Sequence, residues 1–492
     1  MNTNKLPEKF LSNIWKNQSN NKEFKTNDGK KIQIIDPGNE NIQSDGPDFK
    51  NARIKINDIT FQGDIEIDSL HSDWKEHGHI YNKKYNRVIL HVILSGDHKY
   101  NYVISRDGRK IPTIGLDSLI APEKMNSIQK AIIQERNERL YKIPCNNSMN
   151  GISEEFKLNY LLTLGVERFK KKCERILQRL KELVYLKELN VKEPVVQYEL
   201  NEKFLNRTFT HEDFDDSEIW EQVLYEFIFE ALGYTSNKDI MKKIAQSVGV
   251  KFLKENYVNE GSLELLESLF LNVSGLVPSS IKYEDEETTA YIRKLIDNWY
   301  SVKEKYDSKI FKKSQWNFAK LRPPNFPTIR LAGGVRILNK LLKEDLAKKI
   351  LLKLEEFNDI KIIARFLRDQ IVVRGDGYWH NHYMFDDKAK SVINYFIGVA
   401  RADDIIINVI LPYSSIYFEL FGKKNITNKI FKIYQNYMQK SESRLVNDIS
   451  TYLAVERKQN VSVYHQGMIN LYRNFCSQSK CLNCEIGKKV FN

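Results

Sequence analysis

Near residue 118 the spacing of apolar residues changes from every second position to every third or fourth, and no single kind of secondary structure serves both periods. Before the change, alternating runs rich in β-branched residues predict strands at KIQIID (31–36), ARIKIN (52–57), ITFQGDIEID (59–68), NRVILHVIL (86–94) and NYVIS (101–105). Turn residues separate them, at DG (28–29), ND (57–58) and SGD (95–97). A short amphipathic helix is expected over 7–17, with Phe10, Leu11, Ile14 and Trp15 on its apolar face. After the change, helical periodicity runs through 153–189, as one long helix or a kinked pair, and then through 216–233, 286–304 and 334–357. KLRPPNFPTIRLA (320–332) has three prolines in five residues and reads as a rigid extended connector. With 492 residues there is chain for about three domains. The reading is an α+β protein: a sheet domain over 1–117, a helical domain over 118–333 that ends in the basic proline-rich connector, and a mainly helical domain over 334–492 with a cysteine-bearing tail.

Several function classes are excluded or disfavoured. No apolar run approaches the roughly 20 residues of a membrane span. The start, MNTNKLPEKFLSNIWKNQ, lacks the apolar core of a signal peptide, so a cytoplasmic protein without a membrane partner is expected. No Walker A, dinucleotide-binding or G-x-S-x-G motif occurs, and neither does HExxH or a deaminase signature. The net charge of +12 suits a polyanionic partner, DNA or RNA. Abundant Asn, Ile and Tyr beside Lys point to a background residue bias that explains part of that surplus. Protein partners are not legible.

The chemistry concentrates in SDGPDFKNARIKINDITFQGDIEID (44–68). Asp48 follows a Gly-Pro turn and precedes a strand; Glu66 lies on the next strand, where a hairpin brings the two carboxylates to one sheet edge. Such a pair suits Mg2+ or Mn2+, hard ions that activate water and stabilise charge on a phosphodiester. The alternative is that Asp48 caps a turn and Glu66 is an exposed strand carboxylate. Downstream, HSDWKEHGHIYNKKYNRVILHVI (71–93) carries Asp73, His77, His79 and His91, and five of the nine histidines fall between His71 and His98. Imidazole beside carboxylate suits metal ligation and general acid–base work; a satisfied buried histidine is the alternative for His91.

The first pattern resembles the PD-(D/E)XK nuclease superfamily, whose common core is a short mixed sheet flanked by helices. The resemblance implies Asp48 as the motif aspartate, Glu66 as the second acid, and Glu8 or Glu40 as an earlier acid. Asp68 stands where that superfamily has its lysine, so this function is missing or supplied from elsewhere, with Lys75 the nearest candidate. The chain also resembles, nearly end to end, a mostly Bacteroidetes family carried under a domain-of-unknown-function label. The marks of that likeness are GPDFKNARI, GDIEID, SDWKEHGH, YNRVILHVI, LRPPNFPTIRLA and YRNFCSQSKCLNCEIGK. Three functions follow as expectations. The first is a divalent-metal nuclease using Asp48, Glu66, Asp68, His77, His79 and His91. The second is a non-catalytic nucleic-acid-binding or scaffold protein on the same fold. The third is a zinc enzyme built on His77, His79 and His91.

Cys476, Cys481 and Cys484 form C-x4-C-x2-C near the end. Three thiols so close suggest metal ligation, with Cys145 as the first choice of fourth ligand and His465 the second; Zn2+ and a [4Fe–4S] cluster both fit. Cys173 reads as incidental. Lys312, Lys313, Arg322 and Arg330, interleaved with Phe311, Trp316, Phe318 and Phe326, are the candidate nucleic-acid contacts, cations for phosphates and rings for bases. His380 and His382 lie beside acids as a candidate second site.

Overall fold

The structure is a computed structural model; it describes residues 11–12, 15–16, 23–26, 29–41, 46–68, 70–93, 101–116, 145, 151–190, 202–259, 261–279, 285–319, 321–385, 387–440, 443–478 and 480–491. The chain divides into two compact units, Met1–Lys142 and Ile143–Asn492.

The first unit is built on an eight-stranded mixed sheet. Its strands are β1 (Glu23–Lys25), β2 (Lys31–Asp36), β3 (Asn39–Glu40), β4 (Phe49–Ile56), β5 (Ile59–Ile67), β6 (Val88–Ile93), β7 (Tyr102–Ile104) and β8 (Lys110–Gly115). The order is β1-β2-β4-β5-β6-β8-β7, with β3 paired to β4. β5–β6 and β6–β8 are parallel and the other pairs antiparallel. β2 shows the simplest logic: Ile32 and Ile34 alternate into the core while Lys31 and Gln33 face outward. β6 reads VILHVI and is buried at every position, as a central parallel strand covered on both faces must be. Leu11, Trp15, Phe49, Ile65, Ile67 and Leu90 pack in one cluster; Trp74, Tyr85, Val88, Val103 and Ile111 form a second.

Parallel strands cannot be joined by a tight turn. β5 therefore reaches β6 through a crossover made of a one-turn helix, Asp73–Glu76, and two 3-10 turns, His79–Tyr81 and Lys83–Arg87. β8 was not anticipated from sequence, because Pro112 interrupts its pattern; the ladder tolerates it within KIPTIG. Phe10 and Ile14 of the expected first helix lie outside the described residues; Leu11 and Trp15 are helical and fully buried.

The second unit is mainly helical, so the α+β reading with a helical majority holds. Residues 153–189 form a single 36-residue helix, Glu154–Leu189, which Ser153 caps by accepting the Phe156 N–H and Asn190 ends in the left-handed region. The extended connector is corrected. Pro323–Asn325 is one 3-10 turn, and the helix Pro327–Lys343 begins at the third proline, where a missing N–H costs nothing. The expected 334–357 helix is also corrected to two pieces, because Asp345 adopts φ 49° between Pro327–Lys343 and Leu346–Glu356. Among the described residues, no helix is long and apolar enough to cross a membrane.

Gly63 fixes how closely β5 and β6 approach: a Cβ there would stand 2.4 Å from Ile89 Cγ2 and 2.5 Å from the Arg87 carbonyl. Gly63→Ala is expected to destabilise this unit by about 1–3 kcal/mol through overpacking. The measurement is hydrogen exchange of β5 and β6 amides, which speeds up; unchanged protection contradicts the account.

Candidate metal centre

The motif GDIEID divides its side chains by the period of a strand. Ile65 and Ile67 enter the apolar core, while Asp64, Glu66 and Asp68 take the opposite face at 6%, 5% and 1% exposure. Buried carboxylates must find partners. Asp64 Oδ1 accepts the amide of Asn51, which sits at φ 59° where β4 bulges. Glu66 Oε2 accepts the Asp48 amide at 3.1 Å, and Asp48 Oδ2 accepts the Ile67 amide at 3.0 Å. The two acids singled out from sequence are thus interlocked at one sheet edge. The alternative of an exposed Glu66 is overturned by its burial.

Asp68, just past the end of β5, is where the histidines meet. His77 Nδ1 donates to its Oδ1 at 3.0 Å and His91 Nε2 lies 3.2 Å from its Oδ2. His91 is opposite Glu66 in the β5–β6 register and opposite Thr113 in β8. Its Nδ1 is 3.2 Å from Thr113 Oγ1. This network assigns a neutral imidazole that donates to Asp68 and accepts from Thr113. Gly78, at φ 76°, turns the chain so that His77 and His79 both face Asp68. Asp73 is buried and accepts the Leu70 amide, which closes the crossover's first turn.

His79 is enclosed. Tyr85 stacks on its ring at 4.1 Å, and Trp74 stands edge-on to His79 and His91 at 5.4 and 5.3 Å. Its Nε2 lies 3.0 Å from Glu66 Oε1 and 3.7 Å from Asp68 Oδ1, yet no well-aligned hydrogen bond joins this buried nitrogen to either. A nitrogen held this close to two carboxyl groups is stabilised by a proton shared with them or by a metal cation.

The proton affinities follow. Burial pushes Glu66 up to about 8; the contact with His79 opposes this, and the charges of Asp48 and Asp68 add to it. For Asp68 burial acts upward, but the hydrogen bonds from His77 and His91 and the nearby His79 imidazole outweigh it and hold the carboxyl far below its usual range. Burial acts against a charged His79, and its contacts with Asp68 and Glu66 outweigh that to push it up to about 9. The bond to Asp68 raises His77, and burial lowers His91.

Asp68, His77 and His79 each offer a ligand atom within 4.8 Å of the others. Two imidazoles and a carboxylate, with Glu66 adjoining, suit Mn2+ or Zn2+ better than Mg2+, and Mg2+ remains compatible with the carboxylates. The candidate donor group is thus Asp68, His77 and His79, while Asp48 and Glu66 brace each other through the backbone beside it. In the sequence Asp68 stands in the place of the superfamily's lysine and is also one of the expected site residues. Its two-residue spacing from Glu66, on the same strand face, was the signal that it belongs to the site.

The other sequence candidates are distributed differently. Glu40 pairs with Lys16 at 3.1 Å, and Glu8 lies outside the described residues. Lys75 is exposed. A second donor group, Asp285, Glu287 and His382, lies in the helical unit. There Lys388 already neutralises Asp285 at 3.0 Å, and Asp285 also caps the helix Glu286–Lys303. Lys312, Lys313 and Arg322 are exposed. Arg330 is not a surface cation: it is buried on the helix Pro327–Lys343, where it donates to the Phe396 carbonyl, the Tyr234 hydroxyl at 2.8 Å and Asn325 Oδ1. Phe311 and Trp316 are core residues, unavailable for base stacking.

Cys145 and Cys484 are buried and Cys476 and Cys481 half-buried, all with free thiols. Cys145, Cys476 and Cys484 share one apolar cluster. Burial pushes Cys145 up to about 11, with Cys484 and Cys481 adding to it. Cys476 is pushed up to about 12 by burial and by the other three sulfurs. His465 instead bonds the Gln459 carbonyl at 3.1 Å, and burial lowers it to about 4.

The fold and site define a two-unit α+β protein with a buried histidine–carboxylate centre that has the capacity to hold a metal. The chain belongs to the family described as "Protein of unknown function (DUF2851)", which matches residues 8–188 and 186–443. No curated protein and no solved structure matches the chain.

Without metal, the protons on His79 and Glu66 hold this centre together. Both groups have folded values above their unfolded ones, so that contribution is complete at low pH and is lost as pH rises toward about 8 to 9. A metal displaces these protons, so its affinity rises with pH. The melting-temperature gain from added Zn2+ or Mn2+ over EDTA should be larger at about pH 8.5 than at about pH 6.5. A gain independent of pH contradicts the assignment.

Proposed function

We propose that the unit Met1–Lys142 is a divalent-metal-dependent hydrolase of DNA or RNA phosphodiesters. The observation that carries this reading is the enclosed His79 Nε2, held without a well-aligned hydrogen bond between Glu66 and Asp68 and within ligand distance of His77. The likeness of Asp48 and Glu66 to the PD-(D/E)XK pattern supplies the substrate class. A divalent ion on Asp68, His77 and His79 would supply a Lewis acid to a phosphoryl oxygen and a bound water of lowered pKa. Glu66, fixed by the Asp48 amide, stands beside that position to take the proton of the attacking water. His91 and Thr113 hold Asp68 in place from below. His77, 40% exposed, is the member of the cluster that meets solvent, so the phosphodiester approaches from its side. In the helical unit, and independently of this centre, the exposed Lys312, Lys313 and Arg322 are proposed as nucleic-acid contacts.

The imidazole-rich donor set favours one second reading, a zinc hydrolase acting on another substrate. Asp68 in the lysine's place is what a non-catalytic nucleic-acid-binding member would also display. One assay separates these. The full-length protein is incubated with single- and double-stranded DNA and RNA in Mn2+, Zn2+ or Mg2+. Cleavage is expected with Mn2+ or Zn2+, falling about 100-fold or more in Glu66→Gln and Asp68→Asn. Metal uptake without cleavage of any nucleic acid contradicts the nuclease reading, and unimpaired cleavage by Asp68→Asn contradicts the centre.

A further inference from the structure

Three of the four tail-site thiols come from one nine-residue stretch, folded as two successive 3-10 turns, Cys476–Gln478 and Cys481–Asn483. The Cys484 amide donates to the Cys481 carbonyl at 3.1 Å, so the two ends of C-x2-C sit on one tight turn. Gly487 lets the next helix close on that turn: a Cβ there would stand 2.1 Å from the Cys481 oxygen. The fourth thiol, Cys145, arrives from the far end of the same unit and is 7% exposed. The Tyr160 hydroxyl lies beside Cys484.

Buried cysteines are often no more than small apolar residues. Packing alone does not explain why Cys145, Cys476 and Cys484, from opposite ends of the unit, meet in one apolar cluster, with Cys481 on the turn that ends at Cys484. Thiolates gathered in apolar surroundings are what a thiophilic metal replaces protons to hold. Among the described residues, no three of these sulfurs lie within 4.8 Å of one another. Around a single zinc ion the sulfurs stand about 3.8 Å apart, given a Zn–S bond of about 2.3 Å. A zinc ion would therefore draw the turns inward, and an iron–sulfur cluster, whose ligands stand further apart, would need less movement.

We propose that Cys145, Cys476, Cys481 and Cys484 bind one thiophilic metal centre, an iron–sulfur cluster or a zinc ion, that clips the tail to the start of the long helix Glu154–Leu189. Each thiol loses its proton as its sulfur–metal bond forms. The site is separate from the histidine centre and does not depend on its reading.

The test uses full-length protein carrying His77→Ala and His79→Ala, which removes the first centre, purified without oxygen. Iron with acid-labile sulfide and a visible charge-transfer band identifies a cluster, and about one zinc per chain identifies a zinc site. Either content should fall at least tenfold in Cys145→Ser and in Cys484→Ser, and stay unchanged in Cys173→Ser. If a serine variant fails to fold, thiol titration of the parent protein decides. Half-buried Cys476 and Cys481 should resist a thiol reagent until a chelator is added. Metal-free protein, or metal that survives Cys145→Ser, or immediate reaction of those thiols, overturns the proposal.

Discussion

A carboxylate that is 1% exposed has to be neutralised where it sits, and the first unit is arranged around doing that for Asp68. The parallel pairing of β5 and β6 places His91 below it, opposite Glu66. The same pairing forces a crossover, and the crossover delivers His77 and His79 from above. Trp74, whose indole donates to the Ile104 carbonyl at 2.9 Å, closes the aromatic wall that keeps water from His79 and His91. Topology and electrostatics are therefore one problem with one solution. Without the crossover Asp68 would keep only His91 of its three histidine partners, and Glu66 would lose His79.

The strands were legible because a half-buried sheet writes itself as alternation. KIQIID is β2 to the residue, and ITFQGDIEID differs from β5 by its last residue. The misses have physical causes. A proline hid β8, and a left-handed Asp345 split a helix whose apolar periodicity continues across the break. In the site, the residue types were readable and the pairing was not. Asp48 and Glu66 resembled a known two-acid pattern, while the role of Asp68 depends on a register that places Glu66 against His91. Burial, invisible in a single sequence, then decides which carboxylate is ionised and which imidazole is charged.

The surplus of +12 is the least informative number in the sequence, and the helical unit explains why. Several conspicuous cations are structural. Arg179 makes a buried two-point pair with Glu226 at 2.8 and 2.9 Å. Lys172 and Arg168 converge on Gln466, and Arg330 is spent on Phe396, Tyr234 and Asn325. An arginine on a helix that reads as a basic connector is thus a core residue, whereas its neighbours Lys312, Lys313 and Arg322 stay on the surface. The tail thiols follow the opposite pattern: residues remote in sequence gather where no charge run announces them.

The most direct measurement of the account is anomalous diffraction from crystals soaked in Mn2+ or Zn2+ and recorded at the metal's absorption edge. The predicted result is a single strong peak in the first unit, bonded to Asp68, His77 and His79 at about 2.0–2.2 Å, with His79 Nε2 as a ligand. A peak on Asp48 and Glu66 alone, or no peak while His79 keeps its place between the two carboxylates, would contradict it.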